Sequence, residues 1–193
     1  ALLVEFSTTS ELDLITDSTD ETFFQNRIIE IMSMLIENEL IEDAIISKSE
    51  YQNKELWDIR ENANIAQMQE GFQLKLDISI PIKKMSEFWS DTYNKVKTYH
   101  NNVKICVFGH LGDGNLHYNL MDKNPEEPYV KENQSILKEL VYEQVSKFSG
   151  SFSAEHGIGQ LKINELKKYK EKNTFDLIKK LKKSMDPQNI MNP

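Results

Sequence analysis

The stretch Phe72-Gln73-Leu74-Lys75-Leu76-Asp77-Ile78-Ser79-Ile80 alternates apolar and polar side chains without interruption. A period of two residues over this length predicts a β-strand. Pro81 follows at once, and it both ends the strand and suits the first turn of a helix, which we predict over Ile82–Tyr99. This strand and the helix after it decide the fold class, because the elements predicted on either side continue the same alternation of strands and helices.

Further strands and helices are predicted on both sides of this stretch. The strands are Leu2–Phe6, Ala44–Ile46, a hairpin over Val103–Leu120 and a short strand at Ser151–Ser153. The helices are Thr19–Leu40 with Thr19 or Asp20 as N-cap, Glu50–Gln69, Val130–Phe148, Gln160–Lys170 and Thr174–Ser184. Strands that meet through long helices and one tight hairpin predict an α+β fold, in which an antiparallel sheet is covered by helices on one face.

Composition limits the classes of function. The 193 residues suffice for one domain with its own core, and we predict a single domain over 1–193. A net charge of −8 argues against a nucleic-acid partner. No apolar run approaches the roughly 20 residues of a membrane span. The single cysteine, Cys106, fits a reducing compartment and is predicted to be a small buried hydrophobe. The chain opens on Leu2–Phe6, a strand already under way, which predicts a piece of a longer polypeptide.

Glycines and histidines concentrate in two segments of the chain. Five of the seven glycines and three of the four histidines lie in Gly109–Asn119 and Ser153–Lys162. Glycine allows backbone conformations that other residues rarely adopt, and histidines beside carboxylates supply metal ligands and proton acceptors. The two segments are therefore predicted to form a site.

In the first segment, Asp113-Gly114 between apolar runs predicts a two-residue hairpin turn. That turn places His110 directly opposite His117, with Cβ atoms about 4.5–5.5 Å apart, so that both imidazoles reach one metal ion. Asn119 then lies on the same face as His117. The alternative is a hairpin whose histidines only pack, and Gly112 would spoil the strict pairing if it lengthened the loop.

In the second segment, Glu155 and His156 are neighbours, and in extended backbone their side chains would point in opposite directions. Both can serve one site only if the chain bends, which Gly157 and Gly159 permit. A solvent-exposed turn explains the pair equally well. The spacing by itself predicts a metal site and no more.

Several motifs together resemble one known family. Gly-His-x-Gly-Asp-Gly-Asn-Leu-His over 109–117 and Ser-x-Glu-His-Gly-x-Gly over 153–159 are similar to the C-terminal domain of FAD-linked oxidases in the vanillyl-alcohol oxidase superfamily. Trp57-x-x-Arg60 with Lys75-x-Asp77-x-Ser79-x-Pro81 resembles the substrate-side segment of that family, and residues 186–193 resemble its C-terminal signature. The branch it resembles contains D-lactate dehydrogenase, the glycolate oxidase flavin subunit and D-2-hydroxyglutarate dehydrogenase.

The resemblance implies a ferredoxin-like substrate or cap domain with a divalent metal. His110, His117 and Glu155 are similar to the metal ligands of the family, with zinc as the expected metal and manganese or iron as alternatives. His156 resembles the catalytic base. These roles come from the resemblance and not from the spacing.

The resemblance also implies substrate contacts. Arg60 and Lys75 resemble the groups that hold the substrate carboxylate, and Asn119 resembles a further polar contact. Asn64, one helical turn beyond Arg60, departs from the pattern, because 2-hydroxyglutarate enzymes of the family can carry Thr there. The preference for a second carboxylate on the substrate therefore stays open.

The reaction that the resemblance implies is oxidation of a D-2-hydroxy acid to a 2-oxo acid, with the hydride passed to FAD. We expect the FAD on an N-terminal domain absent from this chain, so that the chain alone would be inactive. Expected partners are a small 2-hydroxy acid, the FAD domain, an electron acceptor and a peripheral membrane or electron-transfer partner. The expected location is the cytoplasm, or the mitochondrial matrix or inner membrane if the source is eukaryotic.

Two other functions stay open on the residues alone. A metal-dependent hydrolase also uses two histidines and a glutamate; the His-Glu-x-x-His motif is absent, and Arg60 with Lys75 suggests an anionic substrate, but neither observation excludes hydrolysis. A non-catalytic domain with a structural metal is the other alternative. Closed structural zinc sites favour four protein ligands that usually include Cys, and only Cys106 is present.

Overall fold

The structure, a computed structural model, describes residues 1–16, 21–124 and 126–193. The chain divides into two compact units, Ala1–Ala66 and Gln67–Pro193. The regular elements described in the first unit are helices, apart from one isolated bridge between Thr16 and Thr22, and the second unit holds the sheet. That residues 1–193 act as a single domain stays a prediction.

The helices that precede the sheet are α1 (Phe23–Glu37), α2 (Glu50–Glu61) and α3 (Ala63–Met68). Helix α1 begins after Thr22 with a reciprocal pair of hydrogen bonds. The Thr22 hydroxyl accepts from the backbone N–H of Gln25, and the Gln25 side chain accepts from the N–H of Thr22. The N-cap is therefore Thr22, whereas the predicted caps Thr19 and Asp20 lie outside the described residues.

The helix predicted over Glu50–Gln69 is interrupted at Asn62. The Asn62 side-chain amide donates to the carbonyl oxygen of Asp58 at 2.8 Å, and this local hydrogen bond accompanies the end of α2. Arg60 consequently lies on α2 and Asn64 on α3, so the two residues do not occupy successive turns of one helix as predicted.

The strands predicted at Leu2–Phe6 and Ala44–Ile46 are not formed. Both segments are described, and neither pairs with any other described segment. A β-branched or apolar segment becomes a strand only when a neighbour satisfies its backbone N–H and C=O groups, and composition does not supply that neighbour.

The sheet of the second unit has three described strands. They are β1 (Gln73–Ser79), β2 (Val103–His110) and β3 (Asn115–Asp122), all antiparallel to their neighbours in the order β1-β3-β2. The alternation that predicts β1 sorts its side chains onto two faces. The apolar face is buried and is formed on β1 and β3 by Leu74, Leu76, Ile78, Leu116, Tyr118 and Leu120.

Two long helices, α4 (Met85–Tyr99) and α6 (Gln134–Lys147), supply the rest of the core against the apolar face. Phe88 of α4 packs edge-on against Tyr118 and Phe148, with ring centroids 6.1 and 5.8 Å apart. Helix α6 adds Leu137, Val141 and Val145. The predicted α+β fold, an antiparallel sheet with helices on one face, is confirmed.

The order of elements from β1 onward is strand, helix, strand, strand, helix, as in a ferredoxin-like fold whose last strand is reduced. Ser151, in the segment predicted as a strand, forms a single antiparallel bridge with Ser79 on the outer edge of β1. Each residue donates its N–H to the carbonyl oxygen of the other at 2.8 Å. This bridge brings the segment that follows Ser151 alongside the sheet.

The remaining described helices are α5 (Tyr129–Glu132), α7 (Ile163–Tyr169) and α8 (Lys172–Met185). The helix predicted over Val130–Phe148 is therefore two helices, α5 and α6, which are separated at Asn133. Among the described residues, no helix is long and apolar enough to span a membrane.

The hairpin loop is longer than predicted. A 3₁₀ turn over Leu111–Asp113 joins β2 to β3 through Gly114, whose φ is 67°. The register consequently pairs His110 with Asn115. The predicted direct opposition of His110 and His117 is wrong, because the connection takes four residues, 111–114, instead of two. The two histidines still share one face of the sheet. His110 pairs with Asn115, and Asn115 and His117 are two positions apart on β3, so their side chains point to the same face.

Candidate active site

The polar face of the sheet is built by alternate residues of β1 and β3. The register sets Asp77 of β1 directly across from His117 of β3 and Lys75 across from Asn119. Directly opposed side chains of antiparallel strands lie on the same face. This face therefore presents a carboxylate, an imidazole, an ammonium group and an amide from only two strands.

The segment Ser153–Gly157 bends beside this face. Oδ2 of Asp77 accepts hydrogen bonds from the backbone N–H groups of Ala154, Glu155 and His156, at 3.1, 2.9 and 2.9 Å. Three successive N–H groups reach one oxygen only where the backbone turns around it. The bend that Glu155 and His156 need in order to serve one site is thus present, and the Asp77 carboxylate lies in its hollow.

The bend brings Glu155 and His156 to the histidine of β3. Nε2 of His117 lies 4.0 Å from Oε2 of Glu155. The rings of His117 and His156 are stacked with their centroids 6.1 Å apart. Nδ1 of His156 lies 3.6 Å from Oδ2 of Asp77. Two imidazoles and two carboxylates from three separate segments therefore surround one small volume.

These four side chains differ in their access to solvent. The Asp77 side chain is 3% exposed, whereas that of His117 is 20%, that of Glu155 48% and that of His156 65% exposed. The buried carboxylate forms the base of the site and the His156 imidazole its rim. A small molecule that approached from solvent would meet His156 and Glu155 first.

The Asp77 carboxyl is held in its ionised form. Burial by itself would raise its pKa, but hydrogen bonds from the N–H groups of His156 and Glu155 outweigh that effect, and the nearby charge of Lys162 adds to them, so its pKa is below the usual range. The Lys162 ammonium donates to the carbonyl oxygen of Phe152 and the hydroxyl of Ser153, at 3.2 and 3.1 Å. The bent segment is therefore contacted by a carboxylate and by an ammonium group.

Asn115 is a site residue that sequence reasoning did not predict. Its side-chain amide donates to Oε1 of Glu155. Asn115 is buried, and its Oδ1 has no hydrogen-bond partner within the described part of the chain. A polar residue at the first position of a strand gives no signal of this kind in the sequence, because its partner lies 40 residues away.

The other predicted site residues occupy different surroundings. His110 ends β2, is exposed and pairs in register with Asn115. Lys75 is exposed on the polar face. Asn119 is buried, and its amide donates to Oε1 of Gln67 at 2.8 Å. Arg60 lies on α2 in the first unit.

Part of the site carries donor groups of the kind that bind divalent metals. Within the described residues, ligand atoms of Asp77, Glu155 and His156 lie within 4.8 Å of one another. Two atoms bound to one ion at about 2.0–2.3 Å are at most about 4.6 Å apart, which is slightly less than this 4.8 Å limit. The 4.0 Å separation of His117 and Glu155 is within that span. Imidazole and carboxylate donors suit zinc, manganese and iron.

Comparison with known proteins points to one family. The family model described as "FAD linked oxidases, C-terminal domain" matches residues 2–193. A protein named mitochondrial D-2-hydroxyglutarate dehydrogenase from Arabidopsis thaliana is 33% identical over 178 residues, which are 92% of this chain and 31% of that protein. A protein named D-2-hydroxyglutarate dehydrogenase from Stutzerimonas stutzeri is 32% identical over 82% of this chain and 34% of its own length.

A third relative is named for a different 2-hydroxy acid. A mitochondrial protein of Schizosaccharomyces pombe with a provisional D-lactate dehydrogenase name is 32% identical over 92% of this chain and 35% of its own length. The chain thus spans about a third of the length of these curated relatives. Their names agree with the branch predicted from the motifs. Because the family model matches almost every residue, this chain belongs to the family of FAD linked oxidases, C-terminal domain.

Proposed function

We propose that this chain is the substrate- and metal-binding part of a flavin-dependent dehydrogenase that oxidises a D-2-hydroxy acid to a 2-oxo acid. The observation that carries the proposal is the convergence of His117, Glu155 and His156 in a chain of this family. We assign the FAD to a further, N-terminal domain of the polypeptide, because the matching family model describes a C-terminal domain.

The reaction needs a proton acceptor and a hydride acceptor. FAD supplies the hydride acceptor, because no protein side chain accepts a hydride. We assign His156 as the base that takes the proton of the substrate hydroxyl, since its imidazole can accept a proton and is the most exposed of the four side chains that surround the site. His117 and Asp77 lie behind it and are less accessible to a substrate.

We assign His110, His117 and Glu155 as ligands of a divalent metal, with zinc as the first choice and manganese or iron as alternatives. The metal would supply positive charge that lowers the pKa of a nearby substrate hydroxyl. The separation of His117 and Glu155 supports two of the three ligands. His110 is supported by its position on the same face at the end of β2.

Substrate contacts complete the proposal. Lys75 supplies a positive charge on the polar face. For Arg60 of the first unit, the family resemblance alone supports the proposed role, in which a guanidinium group binds a carboxylate through two hydrogen bonds. Asn119 adds an amide that is held in place by Gln67. Asn64 leaves the choice between a monocarboxylic and a dicarboxylic hydroxy acid open.

We further propose that a separate electron acceptor reoxidises the flavin. The place of action is the cytoplasm, or the mitochondrial matrix or inner membrane in a eukaryotic source. The names of the Arabidopsis thaliana and Schizosaccharomyces pombe relatives, both described as mitochondrial, support the second case.

The test uses the full polypeptide with its FAD domain, purified and mixed with an artificial electron acceptor. D-2-Hydroxyglutarate, D-lactate, D-malate and glycolate are supplied separately, and the flavin absorbance and acceptor reduction are recorded. We expect turnover with at least one acid, its loss after chelation, and its return when zinc, manganese or iron is added. Failure of all four acids to reduce the flavin would contradict the proposal.

A further inference from the structure

Asp77 contacts Glu155 and His156, two adjacent residues of the bend, by accepting hydrogen bonds from their backbone N–H groups. We propose that Asp77 is a positioning residue that fixes the bend at 154–156 and so turns two adjacent side chains toward one site. The kinetic consequence of this inference rests on the proposed function. The structural consequence does not.

Adjacent residues of an extended chain point to opposite sides. Glu155 nevertheless reaches within 4.0 Å of His117, while the ring of its neighbour His156 stacks at 6.1 Å from the ring of the same His117. The hydrogen bonds to Oδ2 of Asp77 are what reconcile the two orientations. They hold three consecutive N–H groups around one point, which an extended backbone cannot do.

The same contacts show how Asp77 acts on the bend, although its carboxylate also lies within reach of Glu155 and His156. A carboxylate oxygen has two lone pairs, and Oδ2 of Asp77 already accepts three N–H donors. Its Oδ1 is buried and has no hydrogen-bond partner among the described residues. Asp77 therefore acts on the site through the backbone of the bent segment.

The bend is also held from its other side. The Lys162 ammonium donates to the carbonyl oxygen of Phe152 and to the hydroxyl of Ser153. The Ser153 hydroxyl donates in turn to the carbonyl oxygen of Gly157 at 2.6 Å, which closes the turn across Glu155 and His156. Asp77 binds the N–H groups inside the turn, and Lys162 and Ser153 bind the carbonyl oxygens at its ends.

The position of Asp77 in the sheet sets where the bend lies relative to His117. Asp77 is 3% exposed and pairs in register with His117, so the carboxylate that holds the bend belongs to the rigid strand next to the histidine that the bend must reach. A change at Asp77 is therefore expected to displace Glu155 and His156 together, relative to His117.

The test compares Asp77→Ala and Asp77→Asn with the wild type in the full polypeptide. Asp122→Ala is the matched control, because Oδ1 of Asp122 also accepts a backbone N–H, that of Val130 at 2.8 Å, but lies at the opposite end of β3 from Asn115. Amide hydrogen exchange of the peptide covering 153–158 is measured by mass spectrometry on metal-free protein. The kcat and KM values are measured at saturating metal with an acid that the wild type oxidises.

We expect the 154–156 amides of Asp77→Ala to exchange about tenfold faster or more, because three hydrogen bonds to a charged acceptor are lost. Its kcat should fall by about 10–100-fold, as for residues that orient ligands and catalytic groups, while KM stays within about threefold. Asp77→Asn keeps an acceptor oxygen but loses its charge, so both its exchange rate and its kcat should lie between those of Asp77→Ala and the wild type. Asp122→Ala should leave the exchange of 153–158 and the kcat unchanged.

Unchanged exchange of 153–158 in Asp77→Ala overturns the inference, and so does an equal loss of kcat in Asp122→Ala. If Asp77→Ala does not fold, the intermediate rate of exchange in Asp77→Asn decides the question, and exchange equal to that of the wild type with unchanged kcat overturns the inference. If the wild type oxidises no hydroxy acid, the proposed function fails, and the exchange measurement alone then supports or overturns the role of Asp77.

Discussion

Asn115 and Glu155 meet at the site although 40 residues separate them: the side-chain amide of Asn115 donates a hydrogen bond to Oε1 of Glu155. Asn115 is the first residue of β3 and pairs with both Ser79 and His110, so the sheet holds it in place. Glu155 belongs to the bent segment, which the sheet does not include. This bond therefore joins the second motif to the first.

Asn115→Leu removes the donor and keeps a similar volume. We expect zinc affinity to fall by about 10–100-fold, because the Glu155 carboxylate loses the group that orients it. Calorimetric titration with zinc measures this change. Asn133→Leu is the control, since the Asn133 amide donates to the carbonyl oxygen of Tyr129, a local contact four residues earlier in the chain. Equal zinc affinities in Asn115→Leu and the wild type would show that the bond does not orient a ligand.

Local periodicity explains which parts of the fold the sequence predicts. The alternation over 72–80 predicts β1 because an apolar side chain marks the buried face of the sheet and a polar side chain marks the other face. Helices α4 and α6 follow from apolar stripes in the same way. The strand predicted at Leu2–Phe6 fails because a strand needs a partner, and no local pattern tells whether one is present.

The site cannot be predicted from local periodicity, because it depends on contacts between segments that are far apart in the sequence. The motif residues Glu155 and His156 are recognisable in the sequence, but the residue that bends their backbone is on β1, 78 and 79 positions earlier. The register of the hairpin depends on whether Gly112 belongs to the turn. A change of two loop residues moves the partner of His110 from His117 to Asn115.

Gly114→Ala should destabilise the protein, and Gly112→Ala should not. Gly114 has a φ of 67°, and a Cβ added there would lie 2.3 Å from the carbonyl oxygen of Ile80, whereas a Cβ at Gly112 meets nothing within 4 Å. We expect Gly114→Ala to lower the free energy of unfolding by about 2–3 kcal/mol and Gly112→Ala to change it by less than about 0.5 kcal/mol. Urea unfolding measures both, and similar values for the two variants would contradict the role given to Gly114.

The ion pair between Lys138 and Glu165 should contribute stability that depends on pH. Burial alone would raise the pKa of Glu165, but the hydrogen bond from Lys138 outweighs it and the pKa is lowered. A carboxyl group with a lower pKa in the folded than in the unfolded protein stabilises the fold above its unfolded pKa. That contribution is lost as the pH falls through the folded pKa.

Glu165→Gln is therefore expected to lower the free energy of unfolding by about 1 kcal/mol at pH 7, and by progressively less as the pH falls below the usual carboxyl range. Urea unfolding at pH 7, 5 and 3 measures the difference. Glu139→Gln, which breaks the exposed pair with Lys168, is the control and should cost less stability than Glu165→Gln at pH 7. A difference for Glu165→Gln that is the same at every pH would contradict the ionic origin.

The sharpest test of mechanism compares His156, proposed as the base, with His110, proposed as a metal ligand. In the full polypeptide, His156→Asn should lower kcat by about 10²–10⁴-fold, the usual contribution of general-base catalysis, with little loss of metal. His110→Ala should remove the metal itself. A ligand holds the ion before the reaction begins, whereas a base acts only when the hydroxyl proton leaves. Metal content by mass spectrometry and kcat at saturating substrate separate the two effects.

The competing account is that His156 only orients Glu155 through the bent backbone, since both donate their N–H groups to Asp77. Losses of that kind are about 10–100-fold and appear in metal affinity as well as in rate. If His156→Asn lost metal in parallel with activity, and added metal restored the rate, His156 would be an orienting residue and not the base. A kcat that stays low at saturating metal, with the metal retained, is the result that the exposed position of the His156 imidazole leads us to expect.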